Sequence, residues 1–360
     1  MMDEAVVRRE LAQVAYPGMR SDIVSLGLVR SVTVRDGRVH VSLVLATERA
    51  EVPDQLRAAI RERLAAAGVV RSEVQIAAPA RRGPPDPWAG RGRLPGVRRV
   101  VAVGAGKGGV GKSTVAVNLA VALLEEGLSV GLLDADIYGP SVPTLVGLED
   151  GARKVRMTAK KHIEPLDALG LRVVSFGFFL GAESPAVWRG PMVGKAVKQF
   201  SRGVLWGELD VLVVDLPPGT GDVPLSLAQS IVVDGAVVVT TPQRLSVLEA
   251  AKAVEMFRKL DVAVLGVVEN MSYAVCDCGR RSHPFGTGGA EALAVTSGIP
   301  LLGQVPFEET TVHGGDQGRP VVLAAPAGET AACFRGIARG VMNALAPGAR
   351  GQVAASGAAP

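Results

Sequence analysis

Residues 106–113 leave this chain few folds to choose from. The run Gly106-Lys107-Gly108-Gly109-Val110-Gly111-Lys112-Ser113-Thr114 meets the spacing G-x-x-x-x-G-K-[ST] from Gly106 through Ser113. An apolar segment, Val100 to Val103, leads into it, and Val115-Ala116-Val117-Asn118-Leu119-Ala120 opens a helix behind it. Strand, glycine-rich loop and helix in that order let successive backbone N–H groups curl around a phosphate without a Cβ in the way, and the helix dipole adds positive potential. In that context Lys112 bridges the β- and γ-phosphates and Ser113 ligates Mg²⁺. Gly106, Lys107, Gly108, Gly109, Val110, Gly111 and Thr114 complete the expected nucleotide cradle.

The surrounding pattern agrees. Val130–Leu133, Val211–Val214, Ala236–Thr240 and Val264–Val268 are short, near-continuous apolar runs separated by helical stretches. Strands covered on both faces read this way, so the expectation is an α/β fold whose mostly parallel sheet carries helices on both sides. Two acidic sites fall at predicted strand ends, where open α/β sheets bind ligands. Asp134-Ala135-Asp136 closes one strand: Asp136 is the candidate for orienting water or supporting Mg²⁺, and Asp134 for holding the loop. Asp215 closes another as a Walker B carboxylate. The following Leu216-Pro217-Pro218-Gly219-Thr220-Gly221-Asp222 reads as a switch, with the Gly219 N–H offered to the γ-phosphate. Asn270, at a further strand end, either bonds an adenine edge or closes an Asx-turn. No N-K-x-D run is present to read guanine.

The 360 residues suit two domains. Residues 1–80 read as a small α/β unit in the order helix, strand, strand, helix, strand, with Asp36-Gly37 as a hairpin turn and Leu56, Ile60 and Leu64 on one helix face. Residues 81–96, rich in Pro, Gly and Arg, read as a linker. Residues 97–346 form the nucleotide domain, and 347–360 a Gly/Ala-rich flexible tail. An apolar content of 48% excludes global disorder, and a net charge of +4 over this length does not argue for nucleic acid. The acidic start, the absence of a long apolar run and only three cysteines point to a cytoplasmic protein without a membrane span.

Two of those cysteines, Cys276 and Cys278, stand one residue apart in a loop beside Gly279, Arg280, Arg281 and His283. Clustered thiols in a reducing compartment favour metal ligation or redox work over a disulfide. A pair supplies two of the four ligands that tetrahedral zinc or a cubane cluster takes, and a twofold axis near the loop would bring four together. His283 offers a third zinc ligand, although a histidine bonded to water or backbone is the plainer reading. His40, His162 and His313 fall in no ligand spacing, and Cys333 sits among Phe334, Ile337 and Val341 as a core residue.

The early Lys107 makes the loop resemble the deviant Walker A ATPases. Together with Asp134 to Ser141, Asp215 to Asp222 and Asn270-Met271-Ser272-Tyr273, residues 97–345 resemble the Mrp/ApbC family of iron–sulfur cluster carrier ATPases. Residues 1–80 resemble the small assembly domain often fused ahead of them. The resemblance implies a homodimer that binds ATP and Mg²⁺, hydrolyses slowly, holds a [4Fe-4S] cluster through Cys276 and Cys278 of both copies, and passes it from an assembly scaffold to apo-proteins. It also implies that Lys107 acts on the partner's nucleotide, making Lys107, Lys112, Asp136 and Asp215 the catalytic set. The chain departs from the family pattern in its C-x-C spacing, which is usually C-x-x-C. It also lacks a cysteine near Thr47-Glu48-Arg49-Ala50, and has Tyr16-Pro17-Gly18 in place of an Asp-Pro-Glu opening. The alternatives are a partitioning or positioning ATPase of the same fold, which wants a basic amphipathic C-terminus, and a zinc-bridged regulatory dimer.

Overall fold

Alternating strands with apolar residues on both faces need a helical layer on each side, and the computed structural model has that layout. It describes residues 3–18, 21–35, 38–45, 51–77, 91–149, 155–159, 162–179, 197, 199–200, 202–276 and 278–346. The chain divides into two units, Met1–Asp86 and Pro87–Pro360.

The smaller unit runs α1 (Glu4–Leu11), β1 (Val29–Arg35), β2 (Arg38–Val44), α2 (Val52–Ala66) and β3 (Arg71–Ala77). Helix α1 starts where the Asp3 side chain accepts from the Val6 N–H at 2.9 Å, a normal N-cap. Strands β1 and β2 pair antiparallel, and β3 joins β2 in parallel. Leu56, Ile60 and Leu64 are buried against Val39, Val41 and Leu43, as the helical and strand periodicities required. The Asp36-Gly37 turn and residues 46–50 lie outside the described residues.

The larger unit contains β4 (Val97–Ala105), α3 (Lys112–Glu125), β5 (Val130–Asp134), α4 (Val142–Leu145), β6 (Arg156–Met157), β7 (Ile163–Glu164), β8 (Leu166–Ala168) and β9 (Leu171–Ser175). It continues through β10 (Leu209–Asp215), α5 (Asp222–Ser230), β11 (Gly235–Thr240), α6 (Arg244–Lys259), β12 (Val264–Glu269), β13 (Ala274–Val275) and β14 (Arg281–Ser282). Helix α7 (Gly289–Ser297), β15 (Leu301–Gln304), α8 (Glu309–Asp316), α9 (Val321–Ala324) and α10 (Glu329–Leu345) complete it. The main sheet has the order β15-β12-β11-β4-β10-β5-β9-β8. Every neighbour pair is parallel except β8 with β9 at one edge.

Each central strand serves two cores. Val101, Val103, Val211, Val213, Val237 and Val239 face Leu119 of α3 and Phe334, Ile337 and Val341 of α10. Val100, Ala102, Leu212, Val214, Ala236 and Val238 face Leu227 of α5, Phe257 of α6 and Leu293 of α7. Each Val, Leu, Ile or Phe among them contributes about 1.5–3 kcal/mol by leaving water. No described helix is long and apolar enough to cross a membrane.

The last residues of the expected linker make defined contacts. Residues 91–96 are attached to the larger unit: Gly92 bridges to Ile231, Leu94 is buried, and Arg93 pairs with Asp234 at 3.1 Å. Buried Asp234 draws this stretch in, since it also accepts from Arg99 and the Val100 N–H. Residues 78–90 and the expected tail from 347 onward lie outside the described residues.

Candidate functional site

The phosphate loop is shaped by its backbone. Strand β4 ends at Ala105, the loop turns through Gly109 and Gly111 at φ of 78° and 76°, and α3 begins at Lys112. Glycine meets those left-handed angles without strain. Gly106 has a second reason: a Cβ there would fall on the Glu249 carbonyl of α6. Val110 anchors the loop by burying its side chain.

Parallel pairing sets the carboxylates around this loop. β10 lies between β4 and β5, and its last residue, Asp215, is in register with Val103 on one side and Asp134 on the other. Lys112 Nζ lies 2.6 Å from Asp215 Oδ1, 3.1 Å from Ser113 Oγ and 4.0 Å from Asp136 Oδ2. Asp215 Oδ2 is buried and has no hydrogen-bond partner among the described residues. Burial pushes the Asp215 carboxyl above the usual carboxylate range, while the Lys112 ammonium opposes it.

Asp134 holds the strand end together. Its Oδ1 accepts from the Asp136 N–H at 3.1 Å, and its Oδ2 from Ser175 Oγ at 2.8 Å and the Val142 N–H at 3.3 Å. Burial, reinforced by the nearby Asp215 charge, raises its carboxyl to about 7. Asp136 accepts from the Tyr138 and Gly139 N–H groups, which leaves its Oδ2 toward Lys112. A cleft of about 550 Å³ lies between Asp136–Gly139 and Pro217–Val223, so the first strand-end loop and the switch share one opening.

Three candidates stand in other bonds than expected. The Gly219 N–H donates to the Ala105 carbonyl at 2.8 Å, so facing a γ-phosphate requires the switch to let go of β4. Asn270 closes no Asx-turn, because the Ser272 N–H is donated to Val305. Instead its Nδ2 donates to the Val110 carbonyl of the phosphate loop at 2.9 Å. Met271 beside it has φ 54°, which turns the chain sharply away from β12. Lys107, on the loop's outer side, reaches Gln243 Oε1 at 3.5 Å rather than the carboxylates.

The two cysteines of the hairpin turn stand against each other. Cys276 and Cys278 are exposed on the turn between β13 and β14 and are joined to each other as a disulfide, with Cα atoms 5.3 Å apart. The reason is local: the Gly279 N–H returns to the Cys276 carbonyl at 2.8 Å, closing a tight turn that converges both sulfurs. His283 Nδ1 lies 3.1 Å from the Ser272 carbonyl, the bond to backbone that was the plainer reading, and no group of three metal-ligating side chains occurs among the described residues. Cys333 is half-buried against Gln304, and burial raises its thiol to about 11.

Two supporting residues were not anticipated. Ser175, which holds Asp134, ends a strand too weakly patterned to be read. Glu269 is fully buried, and its carboxylate accepts from Ser272 Oγ, Gln304 Nε2 and the Ala290 N–H. A charged residue closing an apolar strand directly before Asn270 was its only signal.

Comparison with known proteins places these features. The family profile described as NUBPL iron-transfer P-loop NTPase matches residues 96–342, and that of iron–sulfur cluster assembly proteins matches residues 4–76. The chain is 41% identical over 348 residues to an iron–sulfur cluster carrier protein of Synechocystis sp., covering 94% of this chain and 97% of that one. It is 43% identical over 340 residues to the carrier protein of Deinococcus radiodurans, covering 94% of each. Among solved structures, a nucleotide-binding protein from Archaeoglobus fulgidus in complex with ADP is 42% identical, with a TM-score of 0.56, covering 63% of this chain and 89% of that one. The cell-division ATPase MinD of Pyrococcus furiosus shares the fold at 22% identity and a TM-score of 0.50, covering 68% of this chain and 99% of that one.

Proposed function

This chain belongs to the iron-transfer P-loop NTPases, and from that premise we propose that it is an ATP-driven carrier that holds a [4Fe-4S] cluster between two copies of itself and passes it to apo-proteins. The observation that carries the reading is one strand end serving two sites. Asn270 bonds the phosphate loop, and the hairpin directly after it presents Cys276 and Cys278 to solvent. The near full-length likeness to named cluster carriers supports the cargo.

The residues divide the work as follows. Lys112 leaves Asp215 for the β- and γ-phosphates, which offer it more negative charge in a better geometry. Ser113 and Asp215 are oxygen donors suited to magnesium. The orphaned Asp215 Oδ2, and two carboxylates around one ammonium, fit an added divalent charge. When bound, that ion neutralises charge on the phosphates. Asp136 orients the attacking water. The Gly219 N–H releases Ala105 and turns to the γ-phosphate, Lys107 reaches the partner copy's nucleotide, and Asn270 faces the adenine. Cys276 and Cys278 of two copies supply four thiolates to the cluster, which requires their disulfide to be reduced first.

The test is nucleotide-dependent transfer. Anaerobically reconstituted chain is mixed with an apo-acceptor, with and without MgATP, beside the Lys112→Ala variant. The proposal expects a brown, loaded chain whose transfer rate responds to ATP, and a variant that loads but no longer responds. Colourless protein with stoichiometric zinc would replace the carrier with a zinc-bridged dimer.

A further inference from the structure

The hairpin bearing Cys276 and Cys278 is too small to hold its own position. Strands β13 and β14 exchange two residue pairs, Ala274 with Ser282 and Val275 with Arg281. A two-stranded hairpin alone is marginal in water. Its anchors are therefore side chains and backbone outside it. The Phe307 N–H donates to the Tyr273 carbonyl at 2.7 Å, and Phe285 meets Phe307 edge-on.

A single carboxylate gathers both flanks. Glu329 Oε1 accepts from the buried Tyr273 hydroxyl at 2.7 Å and from Arg281 Nη2 at 2.6 Å. The Arg281 guanidinium also lies 4.3 Å from the centre of the Tyr273 ring, so the three groups form one stack at the hairpin's root. The Arg281–Glu329 pair is itself about half exposed, which makes it a weak source of global stability. Its effect is on where the hairpin sits.

Glu329 is also the first residue of α10, and α10 lies along α3. Phe334, Ile337 and Val341 pack into the core that holds α3, while Arg335 reaches Glu125 at 2.8 Å and Arg339 reaches Glu126 at 3.2 Å. Since α3 begins at Lys112, the helix pair leads from the phosphate loop to the carboxylate that grips the hairpin.

We propose that Glu329 is the positioning residue of the cysteine hairpin, fixing through Tyr273 and Arg281 where Cys276 and Cys278 present their sulfurs and tying them to the helix that opens at the phosphate loop. The proposal rests on the reading that these cysteines carry the cargo, but it is tested on the thiols themselves. The full-length chain is reduced, freed of metal, and labelled with iodoacetamide, a neutral reagent; rates at each cysteine are read by mass spectrometry. Glu329→Gln should accelerate labelling of Cys276 and Cys278 severalfold, because both thiols are already exposed and a hairpin released from its anchor lets them part, which eases ionisation of each beside the other. Tyr273→Phe removes a hydroxyl and no charge, so its acceleration in the same direction separates position from electrostatics. Cys333, four residues into α10, should keep its rate.

Unchanged rates at Cys276 and Cys278 in both variants would overturn the proposal. So would an equal acceleration at Cys333, which would mean that α10 had come loose. In the loaded chain the two variants should alter the visible circular dichroism of the cluster and speed iron release to a ferrous chelator. If the unaltered chain takes up neither iron nor sulfide, the cargo reading fails, while the labelling rates still decide the role of Glu329.

Discussion

Lys112, buried between Asp215, Asp136 and Ser113, is the side chain on which the nucleotide site turns. Lys112→Ala should abolish ATP hydrolysis while leaving cluster loading largely intact, because the cysteines stand on a different element; phosphate release and bound iron measured on one preparation check both. Asp136→Ala should slow hydrolysis by about 10²-fold or more while nucleotide affinity changes little, as expected for a residue that aligns water. Equal loss of binding and turnover would reduce Asp136 to a loop support. Asp134 titrates with a definite sign. Its folded carboxyl keeps a proton to about 7 that the unfolded chain gives up near 3.8, so its contribution to stability is highest below 3.8 and is lost as pH rises to about 7. Urea midpoints at pH 5 and 8 should differ less in Asp134→Asn than in the unaltered chain; an equal difference would contradict the assignment. These residues were legible because motif spacing and strand ends mark them. Ser175, Glu269 and Glu329 were not, since their importance arises from contacts distant in the chain.

At the scale of elements, the sheet's interior was readable and its edges were not. β4, β5, β10, β11 and β12 are buried on both faces and spell apolar runs. β15, with Leu-Leu-Gly-Gln, and the β8–β9 pair are too short or too mixed to stand out, and only pairing in the sheet defines them. The same holds for the hairpin β13–β14, which only its two residue pairs and its turn bonds define. α6 shows how closely elements approach at the site. Phe257 is buried beneath Gly104, and the Glu249 carbonyl sits where a Gly106 side chain would begin. Phe257→Ala should cost about 3–5 kcal/mol of unfolding free energy, measured by urea titration, through the cavity it leaves against β4. A loss below about 1 kcal/mol would mean that α6 repacks, contrary to the close fit described.

As a whole molecule the chain joins a nucleotide unit to a small unit whose family profile is that of cluster assembly proteins. The division into two units falls at Asp86 and Pro87, inside the Pro/Gly/Arg-rich stretch and ahead of the change in pattern near residue 97. The attachment of residues 91–96 was not legible in the sequence, because Asp234, which recruits them, lies far along the chain. The central claim is that two copies share one cluster through four sulfurs. Native mass determination with iron and acid-labile sulfide analysis, on chain reduced and reconstituted without oxygen, tests it most directly. The expected result is a dimer carrying about four iron and four sulfide, and near-complete loss of both in Cys276→Ala. A monomer that holds iron, or a dimer whose iron is unchanged by that substitution, would contradict it.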